Sequence, residues 1–103
     1  MTTEKNEAVE FLEGLAGGPL TFGRYILAIR EGEEMSQVVF AKKLGMSKSH
    51  LCDIEKGRKA VSPAKAARIA RMLGYSEKQF VQLAMQDAVE RAGLDYKVKI
   101  EVA

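Results

Sequence analysis

Four times between residues 36 and 93 the chain opens a run of helix-compatible residues with serine and shuts it with glycine: Ser36 to Gly45, Ser47 to Gly57, Ser62 to Gly74 and Ser76 to Gly93. A serine hydroxyl before a helix accepts a hydrogen bond from a free first-turn amide. A glycine behind a helix adopts the left-handed conformation without a Cβ clash. Pro63, directly after Ser62, sits at the first helical position, where its missing N–H costs nothing. Punctuation this regular permits a set of short packed helices and little else.

Apolar spacing fills in the helices. Ala8, Phe11, Leu12 and Leu15 predict a short amphipathic helix before the break at residues 17–19. A second runs from about Thr21 to Glu31 with Phe22, Tyr25, Ile26 and Ile29 inward, and Gly32 is expected to end it. Residues 37–44 follow with Phe40, Ala41 and Leu44 inward, then 48–56, 63–73 and a last helix reaching about Ala92. No repeat or low-complexity tract interrupts this all-α body of six helices.

A chain of 103 residues, 47% hydrophobic, supports one domain around one core. No run reaches the roughly 18 apolar residues of a membrane span, so no membrane partner is expected. The acidic N-terminal stretch lacks the basic-then-apolar pattern of a secretory signal. Cys52 and His50 are each the only residue of their kind. An intrachain disulfide and a cysteine-based zinc site are thereby excluded, and a reduced cytoplasmic setting is expected. The acidic residues Glu13, Glu31, Glu33 and Glu34 come without an aromatic-lined or Gly-rich catalytic segment. They read as solvated, and no enzymatic activity, cofactor or metal is expected.

The net charge of +2 hides a polarised distribution. Residues 1–34 carry net −4, residues 35–71 net +7, and residues 72–103 net −1. A basic middle suits a polyanion, because Lys and Arg displace the counterions condensed on phosphates. Winding residues 48–56 at 100° per residue puts Leu51, Ile54 and Glu55 on one side. Ser49, Cys52, Asp53 and Lys56 take the other, with Lys48 and His50 on the flanks. The outer face is thus polar and available, and a B-form major groove admits one α-helix of this kind. The helix before it would cross the sugar–phosphate backbone, with Gln37 near a phosphate. Ala41 is small enough to let the two helices pack closely around Gly45.

The stretch "MSQVVFAKKLGMSKSHLCDIEKGRK" resembles the helix-turn-helix of the Xre/Cro family of phage-type repressors and bacterial regulators. The matching features are Ser36–Gln37, Phe40–Ala41, the Gly45 turn, Ser47, and the closing Ile54-Glu55-Lys56-Gly57. The resemblance implies a five-helix, lambda-repressor-like domain. It implies base-reading positions at Lys48, Ser49 and Asp53 with His50 beside them, and phosphate contacts from Gln37, Lys56, Arg58 and Lys59. It also implies a structural ion pair between Arg30 and Glu55. Val38 and Val39 depart from the family pattern, which has polar residues there. So does Asp53, which would repel phosphate but can accept from a cytosine amino group.

In the tail, Tyr96, Val98, Ile100 and Val102 alternate with polar residues, the period of a half-buried strand. No second strand is evident, and a lone strand leaves its backbone groups unpaired. The expectation is therefore an all-α domain over 20–93, an extra helix within 1–19, and a dimerising β-strand over 94–103. The expected function is a homodimeric regulator of double-stranded DNA, a repressor acting on a palindromic operator. The alternative is an antitoxin that binds a toxin protein and autoregulates its operon.

Overall fold

The computed structural model describes residues 20–103. The helix expected around residues 8–15, and the 1–19 segment that holds it, lie outside the described residues. Within them the chain forms α1 (Phe22–Gly32), α2 (Gln37–Lys43), α3 (Lys48–Glu55), α4 (Pro63–Leu73) and α5 (Glu77–Arg91).

Every start has the same chemistry. The hydroxyls of Thr21, Ser36, Ser47, Ser62 and Ser76 each accept from the backbone N–H three residues on. A cap of this kind stabilises a helix by about 1 kcal/mol. Every end also repeats, with a pair of nested backbone bonds closing the last turn. After α2, the Met46 amide donates to the Ala41 carbonyl and the Gly45 amide to Lys42. Gly45 has φ +72°, which turns the chain sharply enough to begin α3 three residues later. After α1 the left-handed position falls on Glu34, at φ 58°, and Gly32 is instead the last helical residue.

The core gathers one face from each helix. Phe22, Ile26, Phe40, Leu51, Ile69 and Phe80 are its largest fully buried side chains. Phe80 of α5 lies at the aromatic centre, edge-on to Phe22 at 5.9 Å and to Tyr25 at 5.2 Å between ring centroids. Such pairs add about 0.5–1.5 kcal/mol to what area burial provides. Burial, with Tyr75 nearby, raises the Tyr25 hydroxyl above its ordinary pKa. α4 and α5 pack along each other, α1 and α2 both contact α3, and α1 also touches α5. α1 comes close to α3 at Gly23, where a Cβ would run into the Ile54 carbonyl oxygen at the end of α3.

No β-strand forms among the described residues, so the C-terminal dimerising strand expected over 94–103 is absent. Its backbone groups find partners on α5. The Gln86 carboxamide donates to the Tyr96 carbonyl (2.9 Å) and accepts from the Val98 amide (2.7 Å). One turn earlier, Gln82 accepts from the Ile100 amide (3.2 Å). Two glutamine side chains thus take the place of a neighbouring strand, and alternate backbone amides of the tail are satisfied within the same chain. Val98 and Ile100 are half-buried, whereas Tyr96 and Val102 remain 70% and 87% exposed. Phe80, Leu83 and Ala84 belong to the core rather than to an outer apolar surface.

Two variants probe these features. Gly23→Ala gains helix propensity of about 1 kcal/mol, but it must displace backbone. A net loss of about 1–3 kcal/mol is expected, in the range of overpacking, read as a lower midpoint in urea unfolding. Gln86→Ala removes both bonds to the tail, so hydrogen exchange at the Val98 amide should accelerate while exchange in the α1 and α5 core stays slow.

Candidate nucleic-acid interface

The two helices α2 and α3 meet around Ala41, which is 2% exposed, with Phe40 and Leu44 buried beside it. Leu51 and Ile54 anchor α3 to the core from beneath. Glu55, the one buried charged residue among those described, completes that inner side.

The Glu55 carboxylate organises three segments. Arg30 of α1 engages it with two donors, Nε to Oε2 at 2.7 Å and a terminal nitrogen to Oε1 at 3.2 Å. The hydrogen bond and the charge of Glu55 raise the Arg30 pKa further, against a smaller opposing effect of burial. The other terminal nitrogen of Arg30 donates to the Met35 carbonyl (3.0 Å), ahead of α2. Gln37 adds Nε2 to Oε1 at 2.9 Å. The Gln37 amide, expected near a phosphate, is therefore turned inward to the carboxylate. Arg30 and Glu55 stand together as the resemblance implied.

The outer face of α3 divides by what each side chain already holds. Lys48 and Ser49 are exposed, as are Lys56 and Lys59 at and beyond the helix end. None of these four has a side-chain partner among the described residues. His50 is half-buried, with Nε2 3.0 Å from the Lys65 ammonium of α4. An ammonium only donates, so Nε2 takes the acceptor role in this contact. Asp53 is occupied. Its Oδ1 accepts from Arg58 Nε at 2.9 Å, and the Asp53 carbonyl accepts from the amides of Arg58 and Lys59. A terminal nitrogen of Arg58 approaches Cys52 Sγ at 3.8 Å, so the guanidinium folds back over the outer face of α3. The bond to Asp53 raises the Arg58 pKa.

Two positions here escaped sequence reasoning. Lys65 was legible only as part of the basic middle. Arg91 pairs with Asp87 one turn back (2.9 Å) and donates to the Gly57 carbonyl (2.8 Å), pinning the turn after α3 from α5. The four-residue spacing of Asp87 and Arg91 is visible in sequence; its contact 34 residues away is not. Arg71 is engaged by Glu77 at 3.3 Å and Lys43 lies 3.9 Å from Glu33, so part of the basic excess is neutralised locally. Val38 and Val39 are 59% and 54% exposed at the start of α2.

A helix-turn-helix family model matches residues 26–80, just over half of the chain, and spans α2, α3 and the turn between them. The protein belongs to the Xre-like helix-turn-helix family. No curated protein and no solved structure matches the chain. Membership makes it a DNA-binding transcription regulator. No helix among the described residues is long and apolar enough to cross a membrane.

The Arg30–Glu55 pair carries a stability expectation. Removing one partner of a largely buried pair leaves the other uncompensated, at about 3–5 kcal/mol. Glu55→Ala should therefore lower unfolding free energy by roughly that amount, and Glu55→Gln by less because the amide oxygen still accepts. Chemical denaturation of both variants checks the order.

Proposed function

We propose that the protein is a sequence-specific repressor that acts as a homodimer on a palindromic operator in the cytoplasm. The observation that carries this reading is the outer face of α3. Its inner residues are fixed in the core, while Lys48 and Ser49 stand exposed near its N-terminal end. A helix so mounted presents short polar side chains to base edges in the major groove. Lys56 and Lys59, exposed at the other end, are suited to phosphates. Occlusion of polymerase from overlapping promoter DNA requires only such binding.

Dimerisation is part of the proposal because one small module buries limited surface on DNA. A two-fold pair reads two half-sites about one turn, roughly 34 Å, apart. The tail favours a role in that contact through side chains that its own helix leaves uncovered, Tyr96 and Val102 together with Leu94. Val98 and Ile100 contribute less, being partly covered against α5.

An antitoxin is the second reading, favoured by the exposed Val38–Val39 pair, which offers apolar surface to a protein partner. A toxin partner would cover those valines and leave α3 free for autoregulation. Slowed exchange across α2 on addition of the product of an adjacent reading frame would distinguish this case from a stand-alone repressor.

Selection of bound duplexes from a random pool tests the main reading, with an inverted repeat as the expected outcome. Lys48→Ala should then change base preference at one position of each half-site, by about 1–3 kcal/mol if the contact is bidentate. Lys59→Ala should weaken binding to all duplexes alike and reduce the salt slope by about one per contact. Fluorescence-anisotropy titrations at several salt concentrations measure both. Indifference of the selected sequence to Lys48→Ala would remove α3 from base recognition.

A further inference from the structure

We infer that Arg58 reads a guanine edge in the major groove and that Asp53, rather than reading a base, is the residue that aims it. This rests on the DNA-binding reading of α3 and assigns two of its side chains different tasks from those the resemblance implied.

The geometry begins with a misplaced charge. Asp53 lies on the outer face of α3, with Ser49, Cys52 and Lys56, where a free carboxylate would oppose the phosphates on either side of a groove. It is not free. Arg58 lies five residues on, past the end of the helix, and returns its Nε to Asp53 Oδ1 at 2.9 Å. Its other approach, to Cys52 Sγ at 3.8 Å, places the guanidinium along the helix surface rather than out toward the flanking backbone.

The return is held from three directions. The Arg58 and Lys59 amides both donate to the Asp53 carbonyl, at 2.8 and 3.2 Å. Gly57 takes φ +78°, and Arg91 donates to its carbonyl. The Arg58 side chain nevertheless remains 58% exposed.

With Nε committed to Asp53 and one terminal N–H turned to Cys52 Sγ, the remaining terminal N–H groups of Arg58 form the free end of a planar fork. Such a fork matches two acceptors side by side. In the major groove guanine alone presents that pair, as N7 and O6. A contact made only to phosphate would need no carboxylate beside the arginine, and a carboxylate there would weaken it. An orienting carboxylate makes sense where direction matters, which is at a base edge.

The test is selection from a random duplex pool with the full chain, its Arg58→Ala, Arg58→Lys and Asp53→Asn variants, and thermal unfolding of each as a folding control. The unaltered chain should select a guanine at a defined position of each half-site. Arg58→Ala should keep the rest of the motif and lose roughly 5- to 150-fold discrimination at that position alone, the fold-change equivalent of about 1–3 kcal/mol. Asp53→Asn should blunt the same preference while raising affinity for random duplex, since it removes a negative charge from the DNA side. The inference is overturned if Arg58→Ala weakens all duplexes equally and Arg58→Lys restores them with the motif unchanged, the pattern of a phosphate contact. It is equally overturned if Asp53→Asn leaves the guanine preference intact. An unaltered chain that binds no duplex would instead defeat the DNA-binding reading, and this assignment with it.

Discussion

The Glu55 carboxylate is the point at which three helices agree on their positions. It sits at the end of α3, takes two donors from Arg30 of α1 and one from Gln37 at the start of α2. Arg30 also reaches the Met35 carbonyl in the connection between α1 and α2. A buried ion pair contributes little net stability over a well-packed apolar alternative, because desolvation offsets most of the Coulomb attraction. Its consequence is geometric. Apolar contacts tolerate small slides and rotations, whereas a bidentate guanidinium–carboxylate contact does not. The angle at which α3 leaves the core is therefore set by hydrogen bonds that only one arrangement of α1, α2 and α3 can satisfy. No buried side-chain nitrogen or oxygen among the described residues is left without a partner.

Around that fixed helix, the charges are sorted by pairing. Arg30, Arg58, Arg71 and Arg91 each face a carboxylate within 3.3 Å. The three pairs other than Arg30–Glu55 are exposed and add little to stability, but they change what a polyanion meets. Lys48, Lys56 and Lys59 remain as exposed cations on and beside α3. Pairing thins the basic middle of the chain, and Lys42 on α2 and Arg68 on α4 stay exposed as well. Arg91 extends the arrangement across the molecule, since it ties the turn bearing Arg58 and Lys59 to the far end of α5.

The tail shows how a correct periodicity can support a wrong element. Alternation of Tyr96, Val98, Ile100 and Val102 describes a segment with one side toward the protein. It says nothing about which groups answer its backbone. Here a glutamine carboxamide, with one donor and one acceptor side by side, serves as a peptide group would. Gln82 and Gln86 are one helical turn apart on α5, which lets them meet alternate amides of the tail.

Local chemistry was written in the sequence. Serine caps, glycine stops and the inward spacing of Phe40, Ala41, Leu51 and Ile54 fix helices whose starting signals act over three or four residues, and their positions could be read without any fold. Family resemblance added the pairing of Arg30 with Glu55. What folding alone decided are the contacts between residues far apart in the chain: Gln37 turned inward to Glu55, Lys65 against His50, Arg91 on Gly57, the Gly23 backbone against Ile54, and the tail on α5. Each depends on the distance and direction between two elements, which a one-dimensional pattern does not contain. Asp53 makes the point at shortest range: its place on the outer face of α3 follows from a 100° rotation per residue, but its engagement by Arg58 follows from the path of the turn that brings the chain back.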